Sequence, residues 1–390
     1  MNAIRGLRWS SAWFAVPIAG LAAYVAGVSE KEFFGDYPLI GVSQAWIGLV
    51  IVAPLIAAWC SWDASRLRTW LLLHFSGVQQ LKALAVMLGA GFALAVAAVL
   101  AATGWAAGLP RTVPAISITV AGVLTLMAAA LTGAALGVLV PRVVAAPLSA
   151  GIWYAWMAIP MSDPSHWTAA ATVTGASATC CTSSQEVNPA SMLTASAVAL
   201  ICGAAALISI WVASRARGAA VLIAGVALAG SAGWALTHIQ DGPIVARTTQ
   251  LSCAQDGPGR VCIWPEHHGQ EARINAAIQA VRSRLQHEVI PVPQSWSEAP
   301  TRPPGVGNLQ WTTGVSPEQA RSSIVVSVVQ TAGCHDARGE ALTSFLRLQV
   351  GVSPEANGTP ASSAQARQVQ GLPAAQRTAW VKQQITACSA

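Results

Sequence analysis

Charge is what this sequence has least of. Asp, Glu, Lys and Arg make up 10% of its 390 residues while 54% are hydrophobic, a balance that excludes an ordinary soluble domain. The little charge is unevenly spread: residues 240–390 hold 12 of the 22 Lys and Arg and 10 of the 16 Asp and Glu. The chain therefore divides into an apolar half and a polar half. No run of Lys or Arg occurs anywhere, so the net charge of +6 does not describe a nucleic-acid-binding face. Also missing is G-x-x-x-x-G-K-[ST], the loop whose backbone amides cradle nucleotide phosphates, so the chain carries no ATPase site of that kind.

The apolar half holds seven segments long enough, or nearly so, to cross a bilayer: Ser11–Val28, Ala45–Cys60, Leu84–Ala107, Ile116–Val140, Val143–Ile159, Ser191–Ala213 and Ala219–His238. A helix rising 1.5 Å per residue needs about 20 apolar residues for about 30 Å of hydrocarbon. The second and fifth are the shortest, and Pro141-Arg142 separates the fourth from the fifth. With the N-terminus inside, the short cytoplasmic segments carry Arg5, Arg8, Arg66, Arg68, Lys82, Arg142, Arg215 and Arg217, against only Lys31 and Arg111 in the short outer loops. That asymmetry predicts seven crossings and an outside C-terminus. Tryptophans agree, with Trp9, Trp59, Trp62 and Trp211 near inner ends and Trp46, Trp105, Trp156 and Trp234 near outer ends.

No Asp, Glu, Lys, Arg or His lies in the middle of any of these segments. Ion-coupled carriers load their coupling ion on such a residue at membrane depth, so its absence argues against secondary transport. Small residues abound instead, including the G-x-x-x-G of Gly133 and Gly137, which suits close helix packing within the chain or at a dimer seam. After the second segment, WDASRLRTWLLLHFSGVQQLKA reads as an amphipathic helix along the inner interface, starting at Asp63–Ser65. It is either a coupling element or a plain connector. The outer stretch after the fifth segment has a weakly apolar middle, Trp167–Ala178, too short to span: a re-entrant dip or a surface loop.

Residues 1–215 resemble the membrane subunit of an ABC-2-type transporter of the kind encoded in actinobacterial genomes. The resemblance rests on Arg5, Arg8 and Trp9 before the first segment, on Trp62, Arg66 and Arg68 after the second, on GAALGVLVPRVVAAPLSAGIWYAW from Gly133 to Trp156, and on the outer segment before the sixth. It implies a six-helix permease that pairs with a second permease subunit, as homodimer or heterodimer, and with a cytoplasmic ATPase that binds the ATP. No cofactor belongs to this chain itself. In that family the region between the second and third spans contacts the ATPase, which marks Asp63, Arg66, Arg68 and Trp70 as coupling residues. The seventh apolar segment, within 216–240, and the domain at 241–390 depart from the family pattern.

That domain is predicted to be a small α/β fold outside the membrane. Extended Arg260–Trp264 leads into a helix near Gln270–His287. Pro291, Pro293, Pro300, Pro303 and Pro304 mark a loop separating two structured parts. SSIVVSVVQTAG, Ser322–Gly333, has the β-branched density of a strand. Helical patterns follow at Ala337–Leu348 and Ala374–Ala387, on either side of a loose GVSPEANGTPASSAQ. Six of the eight cysteines fall outside, where disulfides are the default. Cys253 with Cys262 and Cys334 with Cys388 is one of three pairings open to those four. Cys180 and Cys181 either bridge to the domain, bond to each other, or stay free.

One stretch of this domain carries a metal or catalytic signal: VCIWPEHHGQEARI, Val261–Ile274. His267 and Glu271 stand at i, i+4, His268 lies between them, and His335 is a remote third imidazole. The order matches neither H-E-x-x-H nor its inverse, the patterns that place two ligands and a base on one helical face. The competing structural reading explains more of these residues. Pro265 suits a first helical turn, the two glutamates favour its positive end, and Ile274, Ile278, Val281 and Leu285 form a stripe that reaches back to His267. The expectation is a polytopic α-helical membrane protein of the cytoplasmic membrane, bounded by lipid. It has about seven transmembrane helices, a cytoplasmic N-terminus and a small C-terminal extracytoplasmic α/β domain. Its leading function is ATP-driven transport with a separate ATPase. The alternative is a membrane-anchored extracytoplasmic metal-binding protein or hydrolase using the His267 region.

Overall fold

The computed structural model describes residues 12–29, 37–74, 78–107, 112–162, 184–212, 215–239, 244–247, 250–256, 259–299, 302–311, 314–334, 337–354 and 359–388. The chain forms two compact units, Met1–Arg247 and Thr248–Ala390.

The first unit contains, among its described residues, helices α1 (Ala12–Ser29), α2 (Pro38–Ile47), α3 (Leu49–His74), α4 (Val78–Ala107), α5 (Val113–Leu139), α6 (Arg142–Ser162), α7 (Pro189–Trp211) and α8 (Arg215–Ile239). Four helical stretches are long and apolar enough to cross a membrane: Leu49–Arg66, Val113–Leu139, Arg142–Ile159 and Pro189–Trp211. Shorter apolar stretches lie in α1, α4 and α8, at Val16–Val25, Phe92–Trp105 and Ala216–Ser231. The predicted break at Pro141-Arg142 separates α5 from α6, as proline's missing N–H requires.

Small residues set the packing. A Cβ on Gly133 or Gly137 would collide with the backbone of Ala57 or Ser61 on α3, so the G-x-x-x-G seam joins α5 to α3 within the chain. Gly122 likewise leaves room for the Trp46 ring. Trp46 and Trp59 are 2% and 4% exposed, so these two are bundle residues and not part of an interfacial belt. Outward, the helices present large apolar side chains such as Val143, Leu193 and Ile223, the surface a lipid environment tolerates.

Two details correct the sequence reading. The expected interfacial helix starting at Asp63–Ser65 is instead the continuation of α3, which runs unbroken from Leu49 to His74. Asp63 is therefore mid-helix and buried, its carboxylate accepting the Trp59 indole N–H at 2.8 Å. A two-stranded antiparallel ribbon was also not foreseen: β1 (Gln185–Val187) pairs with β2 (Ile244–Ala246). That pairing carries the boundary of the first unit past the seventh apolar segment. The span Trp167–Ala178, with Cys180 and Cys181, lies outside the described residues.

The second unit is a four-stranded sheet with helices. Strands β3 (Ser252–Asp256), β4 (Gly259–Ile263), β5 (Trp296–Ser297) and β6 (Gly307–Asn308) lie in that order. The first pair is antiparallel and the other two are parallel. Helices α9 (Glu271–Leu285), α10 (Pro317–Thr331), α11 (Ala337–Gln349), α12 (Pro360–Gln370) and α13 (Ala374–Cys388) accompany it. The α9 stripe of Ile274, Ile278, Val281 and Leu285 is buried in one core with Trp296, Leu309, Phe345 and Leu346.

The expected strand at Ser322–Gly333 is helix α10. Ser316 and Gln319 form a capping box, Pro317 opens the first turn, and buried Ile324, Val325, Val328 and Val329 recur at helical spacing. Local β-branched density loses to that cap and core face. The loose stretch before Ala374 contains α12, whose Thr359 hydroxyl accepts the Ser362 N–H. The proline-marked loop is no separator, because it carries β5 and β6 and the fully buried Trp296. A Cβ on Gly307 would strike that indole, which makes glycine necessary there. Disulfides join Cys253 to Cys262, opposite one another on β3 and β4, and Cys334 to Cys388.

Candidate functional site

In the second unit, chain direction changes sharply after β4. Trp264 is extended, Pro265 opens a single 3-10 turn, Pro265–His267, and Gly269 follows at φ 88°, a left-handed conformation suited to glycine. The two histidines consequently part company. His267 is 2% exposed, whereas the His268 side chain is half exposed and stands 3.9 Å from Glu271. The Glu271 carboxylate turns back to accept the Gly269 N–H at 2.7 Å, closing the turn before α9 begins.

The partner of His267 is Glu298, just beyond β5. Its carboxylate oxygens lie 2.8 and 3.0 Å from His267 Nδ1, and one of them accepts the Trp264 N–H at 2.6 Å. The Glu298 backbone N–H donates to the Cys262 carbonyl at 3.1 Å, so the residue is held at both its backbone and its side chain. Burial pushes the Glu298 carboxyl above the ordinary range, while His267 and the Trp264 N–H pull against that shift and Glu266 adds to it. Next to this pair, Trp311 Nε1 donates to Gln270 Oε1 at 2.8 Å. The arrangement ties the turn after β4 to the end of β5 through one buried acid–base pair.

His267, His268 and Glu271 are thus not gathered as metal ligands: the first faces Glu298 and the other two face outward. The turn at Gly269 destroys the i, i+4 helical relation on which that reading depended. His335 lies outside the described residues, and among those described no three His, Cys, Asp or Glu are placed to hold a metal ion. Glu298 went unnoticed in the sequence because the pair is 31 positions apart and obeys no spacing rule. The available signal was indirect: a histidine on an apolar stripe requires an acceptor.

In the first unit, the expected coupling residues sit on the distal part of α3. Asp63 is buried, Arg66 is exposed, and the backbones of Arg68 and Trp70 belong to the same helix. Arg142, at the start of α6, lies with its guanidinium carbon 3.6 Å over the Trp62 ring. Trp62 and Arg142 thereby tie α3 to α6, and the Trp59–Asp63 bond lies beside that contact within α3. A second junction gathers Tyr37, β1 and β2. Here the Arg247 guanidinium carbon is 4.1 Å over the Tyr37 ring, and the Arg247 N–H donates to the Ser184 carbonyl at 3.0 Å.

Residues 261–390 match a family described as a domain of unknown function, DUF7224. No curated protein and no solved structure matches the chain. The family match begins inside β4 and covers the His267–Glu298 pair, Cys334 and Cys388, but leaves out Cys253 and the helical unit.

Proposed function

We propose that this chain is the permease subunit of an ATP-driven, ABC-type transporter of the cytoplasmic membrane, working with a separate cytoplasmic ATPase and a second permease subunit. Seven crossings are part of the proposal: the four long apolar stretches together with the shorter ones in α1, α4 and α8 fall where the seven segments were expected. Contacts within the first unit support the same topology. Tyr37, β1 and β2, all assigned to the outer side, meet one another, and Trp62 and Arg142, both assigned to the inner side, do so too. The excess of Arg and Lys on the second set orients it toward the cytoplasm.

The observation that carries the reading is the length and attachment of α3. Its 26 residues reach about 39 Å at 1.5 Å per residue, beyond the roughly 30 Å of a hydrocarbon core. The excess lies past the apolar stretch ending at Arg66, on the side where Trp62 is stacked by Arg142. A stiff helix that leaves the bilayer while braced to a second helix suits a lever moved by a cytoplasmic motor. Asp63 and Trp59 stiffen it at the membrane edge, and the helix carries Arg66, Arg68 and Trp70, the residues proposed to couple to the ATPase, beyond that point. The outer domain, closed by two disulfides, receives or hands over the substrate on the opposite side.

Copurification tests the proposal. A tagged full-length chain, extracted in mild detergent, is expected to bring down an ATPase subunit, and the exchange of Arg66 and Arg68 for Glu is expected to release it. If no ATPase accompanies the native chain and no ATPase gene adjoins its own, the proposal fails.

A further inference from the structure

The β1–β2 ribbon does more than join two loops. Val187 is 1% exposed and sits in the core of the helix bundle, against which Ile244 of the opposite strand also packs. These two residues are register partners, so one cross-strand pair plugs the bundle end. The strands are bound to three places in the fold. β1 passes through the single residue Asn188, the helix cap, into α7; β2 follows α8; and Arg247, directly after β2, stacks on Tyr37 at the start of α2. Arg247 also donates its N–H to Ser184, immediately before β1.

We infer that this ribbon is a closure over the outer end of the helix bundle, latched by Arg247 on Tyr37, and that it must part for the bundle to open outward. The inference deepens the transport proposal and rests on it for the direction of opening. Three physical features suit a latch. The strands are three residues each, too short to be stable alone, so the helices and the Arg247 stack hold them closed. The guanidinium over the largely buried Tyr37 ring is a single non-covalent contact, which can hold and still be reversed. The first turns of α7, directly after β1, are buried, with Ser191 and Ala195 at 0% exposure, Met192 at 2% and Thr194 at 3%, so water reaches them only once the ribbon moves. Separating the ribbon exposes the first turns of α7 without unfolding any helix.

The test is thiol labelling of the full-length chain in intact cells with a membrane-impermeant maleimide, measured against the parent chain to account for its native cysteines. Met192→Cys is expected to react slowly beside an Ala246→Cys control on the exposed part of β2. Adding Arg247→Ala is expected to raise the Met192→Cys rate about tenfold, roughly what loss of a well-formed cation–π contact allows. Arg247→Lys, which keeps a cation over the ring, is expected to keep it slow. Should Arg247→Ala fail to reach the membrane, Tyr37→Leu removes the same contact from its other side. The inference is overturned if Met192→Cys already reacts as fast as Ala246→Cys, if neither latch variant changes its rate, or if both cysteines react only after the cells are broken open. Absence of a copurifying ATPase sinks the transport proposal alone, because the labelling result stands without it.

Discussion

The two units of this protein differ at their surfaces. Both bury large side chains, Trp46, Ile56 and Leu126 in the helical unit and Trp296, Phe345 and Leu342 in the sheet-containing one; the helical unit adds buried alanine, glycine and serine at close helix contacts and also exposes large apolar side chains such as Val143, Leu193 and Ile223, whereas the sheet-containing unit, among its described residues, exposes only Val289. Water explains the second pattern, since burying large apolar area is what stabilises a soluble core. Lipid explains the first. Where the surroundings are as apolar as leucine, helices associate by close backbone contact and not by hiding side chains. Disulfides follow the same division: the two described bonds both lie in the second unit, while Cys60 and Cys202 in the helices are free.

That contrast can be broken most forcefully at the larger disulfide. Replacing Cys334 and Cys388 with Ser removes a link across 54 positions, and loop entropy predicts a loss of about 4 kcal/mol from the second unit. The equivalent change at Cys253 and Cys262, 9 positions apart, is expected to cost about 2.7 kcal/mol. Proteolytic sensitivity of the full-length chain under reducing and oxidising conditions checks both; equal effects would discredit the loop argument. The helical unit should be indifferent to either.

Next in size is the buried pair. His267→Ala leaves the Glu298 carboxylate without its acid–base partner and is expected to cost about 3 kcal/mol. The burial that raises the Glu298 carboxyl also sets a pH dependence. A group that binds its proton more tightly when folded favours the folded state at low pH, and that advantage is lost as pH rises from the ordinary carboxylate value through the raised one. The thermal stability of the second unit is therefore expected to fall with rising pH across that window, and Glu298→Gln should flatten this part of the profile. An unchanged slope in Glu298→Gln would assign the dependence elsewhere.

Gly137→Val is the counterpart in the helical unit. Its side chain would strike the Ser61 carbonyl, and overpacking of this kind costs about 1–3 kcal/mol. Detergent-solubilised chain should show a lower thermal midpoint for the helical unit, with the disulfides of the second unit unaffected. The smallest effect is expected at His268→Ala. With half of its side chain exposed, the change should stay within about 0.5 kcal/mol, so that two adjacent histidines differ severalfold in effect. Comparable losses at His267 and His268 would contradict the inward and outward assignment.

Much of the helical unit was legible because its signal is additive along the chain. Apolar runs, Pro141, and the G-x-x-x-G at Gly133 all act locally, and the structure returns them near where they were expected. The second unit is less legible. Its sequence carries the α9 stripe and one correct pairing of its four cysteines, but Pro265 reads as the first turn of that helix and not as a separate 3-10 turn, and the β-branched density of Val325, Val326, Val328 and Val329 hides α10, whose start is marked by the Ser316–Gln319 cap. The proline-rich stretch misled for a related reason. Strands of two residues are too short to carry a pattern, and β5 and β6 exist only because β4 and α10 lie beside them.

By itself, then, the sequence determined which segments avoid water and where Pro141 interrupts the helices, since those properties depend on neighbours a few residues away. Tertiary structure alone decided that Glu298 meets His267, that Arg142 covers Trp62, that Arg247 covers Tyr37, and that β1 finds β2 across two intervening helices. Each of these joins residues separated by 31 or more positions in the chain. Each is selected by the packing of whole elements, and no periodicity along the sequence encodes which distant partner that packing will supply.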